Sequence, residues 1–401
     1  IYKTENYGKS WKLITNGISN EDFTRALRAD PKRKGLLYAG TEKGMYVSFN
    51  DGKNWERFQL NLPIVPITDL AIKDDNLIAA TQGRSFWIID DLTPIHQLTT
   101  NTAKEKVTLF TPKASYQLSG GNGRTSKTQG TNHPGGVAVY FNINEFAKKD
   151  TISLSFFDAN KKLIQKFSNY PDTKEDEKRL TVKKGSNVFY WNMMYPDATK
   201  VKGMILWWAS LNGPMALPGN YTVNLSANKS ILVKPFTILK NPVSENSFAD
   251  MKLQFDFIND INTKVSEIHK ALMNVAKVKA QIKTLKSSIK DKQKHKKLLT
   301  FADELTKKMT KIETTLYQTK SKSGQDPLNF PIRLNNKLAH LNSLTRMGTY
   351  KPTDQAIAFK NEITKDIDNE LSKLYVLFNN EVKSLNQKVK ESQIDLIQLE
   401  K

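Results

Sequence analysis

Hydrophobic residues follow two different periods along the 401-residue chain, and the period changes near residue 245. Over residues 1–98 and again over 135–240, short apolar runs alternate with turn residues, which is typical of β-strands. Over residues 245–401 apolar residues recur every three or four positions, which is typical of α-helices. A chain of this length is expected to hold two or three domains. The pattern therefore predicts a multidomain protein with two strand-rich parts and a helical C-terminal part.

The first part contains five predicted strands, each rich in Val, Ile, Tyr or Ala. They are Leu36–Gly40, Met45–Phe49, Ile67–Ile72, Leu77–Thr81 and Phe86–Ile89. The second part contains about seven, which suits an immunoglobulin-like β-sandwich. They are Val137–Ile143, Thr151–Phe157, Lys162–Phe167, Gly185–Met194, Gly203–Ser210, Asn220–Leu225 and Ile231–Ile238.

Two octets in the first part match each other at an offset of 44 residues, and both fit Ser/Thr-x-Asn-x-Gly-x-x-Trp. The hydroxyl and the amide can hydrogen-bond the backbone of a tight turn, and Gly supplies a positive φ. The Trp is expected to be buried beneath the hairpin. The residues with these structural roles are Thr4, Asn6, Gly8, Trp11, Ser48, Asn50, Gly52 and Trp55. A repeat of about 40–50 residues built from short strands predicts β-propeller blades.

The octets resemble the Asp-box, or BNR repeat, with Asn6 and Asn50 standing where Asp is commoner in the family. Further stretches resemble bacterial sortilin-like BNR proteins, which are often labelled glycosyl hydrolases. These stretches are 79–94, 130–137, 189–198, 217–223 and 331–338. The resemblance covers nearly the whole chain and implies the C-terminal portion of such a protein. It indicates an architecture and says little about a reaction.

The periods and the resemblance together divide the chain into four segments. Residues 1–98 are expected to be the last blades of an incomplete BNR/Asp-box β-propeller, and 135–242 an Ig-like β-sandwich. Residues 245–401 are expected to form an α-helical bundle. Residues 99–134, which include the Gly/Ser-rich stretch Ser119–Ser126, are the predicted linker. Because two repeats cannot close a ring, the missing blades are expected upstream.

The helical segment carries long apolar stripes, from Ile261 to Ile289 and from Ile363 to Val389. Its short connections predict antiparallel neighbours, and Thr353 is a candidate N-cap. Nine Lys lie between Lys277 and Lys297. They form either a solvated helix face or a contact with an anionic surface. The candidate contact residues are Lys283, Lys286, Lys290 and Lys294.

Trp207 and Trp208 are adjacent on a predicted strand of the sandwich, so their side chains are expected on opposite faces. Packing within and at the edge of the sheet explains such a pair. The alternative is an aromatic platform for a sugar, which makes both residues candidate binding residues.

Composition narrows the chemistry. The net charge is +21, but Lys outnumbers Arg by 52 to 9. Arg is the usual residue for bidentate phosphate and base contacts, so nucleic-acid binding is not expected. The chain has no Cys, which excludes disulfides, thiolate zinc sites and cysteine nucleophiles. Its five His are too far apart for an HExxH motif. We therefore expect no metal, no cofactor and no transmembrane helix.

No catalytic residue is predicted in the chain. A glycosidase needs two carboxylates that flank a cleft, and neighbours such as Asp90 and Asp91 diverge on a strand. Glu42 and Arg84 are candidate binding residues, because second-strand positions can face the axis of a propeller.

These observations favour a non-catalytic scaffold or binding protein whose propeller and sandwich faces bind protein or glycan partners. The alternative is a glycoside hydrolase, sialidase-like or xyloglucanase-like, with its active site outside residues 1–401. The Lys- and Asn-rich composition and the resemblance favour an exported protein of a Bacteroidota-like bacterium. The expected location is extracellular or at the cell surface, associated with the outer membrane, and the alternative is periplasmic.

Overall fold

The protein consists of a β-sheet-rich part followed by a C-terminal helical region. The computed structural model describes residues 1–102, 104–118, 132–147, 149–172, 178–228 and 230–394. Within these ranges, no helix combines the length and the apolar character needed to cross a bilayer. The Gly/Ser-rich stretch Ser119–Ser126 and the start of the resembling stretch 130–137 lie outside the described residues.

Three antiparallel sheets form from residues 2–89. The first pairs β1 (Tyr2–Lys3) with β2 (Lys12–Leu13). The second contains, in order, β3 (Thr24–Ala29), β4 (Leu37–Thr41), β5 (Gly44–Ser48) and β6 (Glu56–Arg57). The third contains β7 (Ile67–Lys73), β8 (Asn76–Thr81) and β9 (Phe86–Ile89). The five strands predicted here are confirmed as β4, β5, β7, β8 and β9, with ends that agree within one residue.

The second and third sheets share one hydrophobic core, in which Leu36, Tyr38 and Ile67 are fully buried. The two sheets meet most closely at Gly40, where a Cβ would lie 2.6 Å from Cγ2 of Ile67. Only glycine allows so close an approach, and this position of β4 therefore determines how the sheets pack.

A short helix, α1 (Thr93–Gln97), leads into two further sheets. One contains, in order, β10 (Val107–Leu109), β12 (Val137–Ile143) and β16 (Gly185–Trp191). The other contains β11 (Ser115–Tyr116), β18 (Ser230–Leu239), β17 (Gly219–Ala227), β13 (Ile152–Phe157), β14 (Leu163–Ser168) and β15 (Lys178–Arg179). Strands β10 and β11 come from the predicted linker, yet each pairs with a later strand.

These two sheets also share one core. Trp191 lies at its centre, fully buried, with its ring stacked on Phe156 at 4.5 Å between centroids. Side chains of β12 and β16 meet those of β13, β17 and β18 in this core. The apolar residues that alternate along these strands are therefore used between the two layers.

The strand predicted at Gly203–Ser210 is wrong, because residues 203–210 form no strand. Their backbone is bonded by the helical region instead of by a sheet. Trp207 N donates to Asn336 Oδ1 at 2.7 Å, and Asn336 Nδ2 donates to Trp207 O at 2.9 Å. A side-chain amide that both donates and accepts replaces two bonds of a β-ladder, so the segment lies against helices.

Five helices make up the described C-terminal region. They are α2 (Phe248–Ser288), α3 (Lys296–Leu316), α4 (Leu334–Thr345), α5 (Asp354–Val376) and α6 (Val382–Glu391). A five-residue π-helical turn, Leu377–Glu381, joins α5 to α6. Thr353 caps α5 as predicted, since its hydroxyl accepts from Ala356 N at 3.2 Å.

The predicted stripes are buried in one core that joins these helices. Lys279 of α2 pairs with Glu313 of α3 at 2.7 Å, in an antiparallel arrangement. Helix α5 runs parallel to α2, because Asp260 and Lys264 of α2 pair with Lys360 and Asp368 in the same order along the chain. The antiparallel prediction therefore holds for α2 and α3 but not for α2 and α5.

Candidate functional site

The two octets form the same turn. In each, the Ser or Thr hydroxyl accepts from the Gly N–H, and the Asn side-chain oxygen accepts from the N–H four residues later. The bonds are Gly8 N to Thr4 Oγ1 (2.8 Å), Gly52 N to Ser48 Oγ (2.9 Å), Ser10 N to Asn6 Oδ1 (2.9 Å) and Asn54 N to Asn50 Oδ1 (2.9 Å). Both glycines have positive φ. These side chains are occupied by the turn itself.

The two Trp residues of the octets differ in burial. Trp55 is 3% exposed, and its Nε1 donates to Ile14 O at 2.8 Å. Trp11 is 60% exposed, so the prediction that both are buried is wrong for Trp11. The reason is tertiary: Ile14 and Ile18 cover Trp55, whereas no segment of the described chain covers Trp11 in this way.

Glu42 and Arg84 lie apart. Glu42 follows β4 and pairs with Arg25, whose guanidinium carbon lies 4.9 Å from the centre of the Phe23 ring. Arg84 lies in the exposed turn between β8 and β9, and its carbonyl accepts from Trp87 Nε1 at 3.0 Å. No hydrogen bond or ion pair between described residues joins Glu42 to Arg84, so the structure does not bring them into one site.

Trp207 and Trp208 do not lie on a strand, and the expected division between two faces is wrong. Their ring centroids are 6.0 Å apart with an interplanar angle of 55°. Trp208 is 75% exposed and has a φ of 51°, while Trp207 is half-buried. The carbonyl of Trp208 is bonded to His340 Nδ1 at 2.7 Å. The segment bound to α4 therefore turns one indole toward solvent.

The four candidate Lys do not share one helix face. Lys283 and Lys286 lie near the end of α2, whereas Lys290 and Lys294 lie in the turn that leads to α3. Lys286 pairs with Asp303 of α3, so its charge is partly neutralised. The other three are exposed.

The carboxylates at the end of the third sheet lie in a cleft of 340 Å³ that His133 also lines. Asp91 is engaged, because its Oδ1 accepts from Thr93 N at 2.9 Å at the start of α1. Burial raises the pKa of nearby Tyr140, and the charges of Tyr190 and Asp91 add to this. No second carboxylate faces Asp91 across a cleft in the described contacts, so this cleft offers no acid–base pair.

A cavity of 250 Å³ lies between the six-stranded sheet and the helices. Gln117, which follows β11, lines it on the sheet side, and Arg346, at the C-terminal end of α4, lines it on the helical side. Met251, Phe255 and Ile258 of α2 supply an apolar wall. Hereafter we call this space the interlayer cavity. Clefts between structural units that combine apolar walls with few polar groups are typical ligand sites.

Gln117 leaves one hydrogen-bonding atom unused. It is only 7% exposed, and its Nε2 donates to Ala216 O at 2.8 Å, which fixes the orientation of the amide. Its Oε1 is buried and has no partner among the described residues. More than 90% of buried polar groups in native proteins are paired, so this oxygen is an exception that calls for a donor.

Arg346 is a half-buried cation without a countercharge. One of its five N–H groups, on Nη1, donates to Ser210 Oγ at 3.0 Å. No described carboxylate lies within ion-pair distance of its guanidinium. Burial lowers the pKa of Arg346, and the more distant charge of Asp197 partly offsets this effect. Asp197 itself is held by Lys200 at 2.8 Å and by Gly213 N at 3.2 Å.

Other polar groups of the interlayer cavity are engaged by the protein. Gln254 Nε2 donates to Thr345 O at 2.8 Å, and Thr349 Oγ1 accepts from Asn246 Nδ2 at 2.7 Å. The unused atoms are therefore concentrated on Gln117 and Arg346. No Asp, Glu, His, Lys or Tyr is among the described residues that line this cavity.

A second buried polar cluster, around Asp30, is fully paired. Asp30 Oδ1 accepts from the N–H groups of Lys32 (2.8 Å) and Arg33 (2.9 Å), and Oδ2 contacts His96 Nε2 at 2.8 Å and Tyr38 Oη at 3.2 Å. Burial raises the pKa of Asp30, but the bonds from His96 and the backbone outweigh it, and the pKa lies below its usual range.

Asp75 extends this cluster to the residues that follow α1. It pairs with Lys32 at 2.6 Å and with Lys113 at 3.2 Å. Burial raises the pKa of Asp75 as well, but the two Lys hold it below its usual range. The cluster thus ties the second sheet, the third sheet and the entry to the later sheets together.

Sequence reasoning missed Gln117 and Arg346. One signal was present: Arg346 is one of only nine Arg in a chain with 52 Lys. Where Lys is the common cation, an Arg between two apolar residues marks a position that favours a planar, weakly hydrated guanidinium. Gln117 carries no comparable signal, because only its surroundings reveal the unpaired oxygen.

Comparisons with known proteins give little further information. No family model and no curated protein matches the chain. Among solved structures, it is similar to the extracellular domain of a one-component system from B. thetaiotaomicron, at 12% identity and a TM-score of 0.18. The extracellular domain of a hybrid two-component system from the same organism gives 11% and 0.17.

The chain spans only 28% of the length of each of these structures, and the similarity covers 59% and 58% of this chain. Scores this low bear on neither the fold nor the function.

Proposed function

We propose that this chain is a non-catalytic binding protein and that the interlayer cavity holds its small-molecule ligand. The observation that carries this proposal is the pair of unused groups, Gln117 Oε1 and the Arg346 guanidinium, in one cavity. A buried polar atom without a partner costs about 1–3 kcal/mol. A ligand that pairs with both groups recovers this free energy on binding.

The lining of the cavity supports binding rather than catalysis. General acid–base catalysis needs a side chain that exchanges a proton near neutral pH. The described lining offers amides, a hydroxyl and a guanidinium, and Arg does not deprotonate in proteins. Glycoside hydrolysis would require two flanking carboxylates, which these walls do not supply.

We also propose the finer architecture expected from the sequence. Residues 1–98 would be the last blades of a BNR/Asp-box propeller, 99–134 a linker, 135–242 an Ig-like sandwich and 245–401 a helical bundle. The identical turns of the two octets support the first assignment, and the core shared by two sheets supports the third. The family resemblance supports a place at the cell surface or in the envelope, where the propeller and sandwich faces would bind a protein or glycan.

Filling the cavity tests the proposal of a ligand site. Leu217 lines the cavity and is half-buried, so Leu217→Trp should occupy part of its volume. Leu163→Trp, at an exposed position of β14 outside the cavity, is the matched control. We expect ligand-observed NMR with a mixed library of small neutral, cationic and anionic compounds to identify binders of the wild type and of the control.

The same compounds should lose at least about tenfold in affinity for Leu217→Trp, the equivalent of about 1.4 kcal/mol. Circular dichroism and the Tm establish that each variant is folded. If no compound binds the wild type, or if binders ignore the Leu217 substitution, the interlayer cavity is not a ligand site and the proposal is wrong.

A further inference from the structure

We infer that the ligand of the interlayer cavity is a small carboxylate that carries a nearby amine or hydroxyl group, as in α-amino and α-hydroxy acids. This inference rests on the proposed function and specifies its ligand. It follows from the chemistry of the two unused groups, from the size of the cavity and from the nature of its walls.

The Arg346 guanidinium requires an anionic, planar partner. Four of its five N–H groups make no hydrogen bond to the described residues. A guanidinium presents parallel N–H groups that match the two oxygens of a carboxylate, and such bonds are roughly twice as strong as neutral ones. The nearby carboxylate, Asp197, is already held by Lys200 and Gly213. The anion must therefore come from outside the described chain.

Gln117 requires a donor from the same ligand. Its amide cannot present nitrogen to the cavity without breaking the bond to Ala216 O. Its oxygen is thus fixed as an acceptor, and an amine or hydroxyl of the ligand would satisfy it. A phosphate or sulfate at physiological pH brings almost only acceptors, so it would pair with Arg346 and leave Gln117 unpaired. This asymmetry favours a carboxylate with its own donor.

The dimensions of the cavity restrict the ligand further. A volume of 250 Å³ holds about eight groups the size of a water molecule, at ~30 Å³ each. Apolar walls from Met251, Phe255 and Ile258 leave room for a short side chain rather than a second charge. Small amino and hydroxy acids fit these limits, while nucleotides and oligosaccharides exceed them.

Calorimetric titration of the full chain with defined probes tests this inference. The probes are L-alanine, L-serine, L-lactate, propionate, L-alaninamide and inorganic phosphate. We expect an amino acid or lactate to bind best. Propionate lacks the donor and should bind about fivefold more weakly, and L-alaninamide, which lacks the carboxylate, should lose at least about tenfold. Whether alanine or lactate binds more tightly identifies the donor as amine or hydroxyl.

Variants connect the binding to the two groups. Arg346→Gln should reduce affinity for the best acid at least about tenfold, and Arg346→Lys should restore part of it, because Lys keeps the charge but not the fork. Arg333→Gln removes the same charge from the exposed N-terminal end of α4 and should leave affinity unchanged. Gln117→Met should weaken the amino or hydroxy acid while leaving propionate nearly unaffected.

The outcomes separate this inference from the proposed function. If only neutral compounds from the library bind and Leu217→Trp removes them, the cavity is a ligand site but the carboxylate inference is overturned. If phosphate binds as tightly as the best acid, Gln117 has no role and the inference is overturned as well. If nothing binds, both proposals fail together.

Discussion

The cluster around Asp30 and the interlayer cavity both remove charged and polar groups from water, but they treat them differently. In the Asp30 cluster, the carboxylate has four partners, and the neighbouring Asp75 has two Lys. In the cavity, Arg346 bonds one hydroxyl and Gln117 leaves its oxygen unpaired. The same chain therefore completes one buried network and leaves the other open.

This difference separates a structural role from a binding role. A fully paired network rigidifies the elements it joins, and the Asp30 cluster joins the second and third sheets to α1 and Lys113. An open network costs free energy in the empty protein and recovers it only when a partner arrives. Breaking the first should thus reduce stability, while breaking the second should reduce binding.

Removing Asp30 should give the largest effect. Asp30→Ala leaves two backbone N–H groups, Tyr38 and His96 without their acceptor, and loss of one partner from a buried charged network costs about 3–5 kcal/mol. Asp69→Ala, at an exposed ion pair with Arg28, is the control and should cost about 0–1 kcal/mol. Urea denaturation followed by circular dichroism measures both. Equal losses would show that the cluster is not structural.

Acid should weaken the paired cluster selectively. The folded pKa values of Asp30 and Asp75 lie below their usual range, so the unfolded chain binds protons first as the pH falls. Their stabilisation is complete above the unfolded pKa of about 3.9 and is lost as the pH falls through the lower folded values. Below about pH 4 the Tm of the wild type should therefore fall more steeply than that of Asp30→Asn. Parallel curves would contradict the assignment.

Replacing Arg346 should have the smallest effect on stability. Arg346→Met loses one hydrogen bond, worth about 0.5–1.5 kcal/mol, but it also removes a half-buried charge without a countercharge. We expect the free energy of unfolding to change by less than about 1 kcal/mol. Denaturation under the conditions used for Asp30→Ala provides the comparison. A loss as large as that of Asp30→Ala would mean that Arg346 is a structural residue.

The local parts of the fold could be predicted from the sequence because they depend on short-range patterns. The five strands between Leu37 and Ile89 and the N-cap at Thr353 follow from periodicity and capping chemistry. The octets encode their own turns, since every bond lies within eight residues. The burial of their Trp residues was beyond this reasoning, because Trp55 depends on Ile14 and Ile18.

Tertiary contacts decided what the sequence left open. Gly203–Ser210 has the apolar character of a strand, but Asn336 of α4 bonds its backbone and holds it against the helices. The interlayer cavity could not be predicted either, since Gln117 and Arg346 are separated by more than half of the chain. Their shared feature, an unused hydrogen-bonding capacity, exists only once the partners of every neighbouring group are known.

A crystal structure of the protein with the tightest acid from the titration tests the central claim most directly. We predict density for one molecule in the interlayer cavity, with its carboxylate oxygens about 2.7–2.9 Å from the Arg346 guanidinium and its amine or hydroxyl bonded to Gln117 Oε1. Density for the acid elsewhere, with only water between Gln117 and Arg346, would contradict the account.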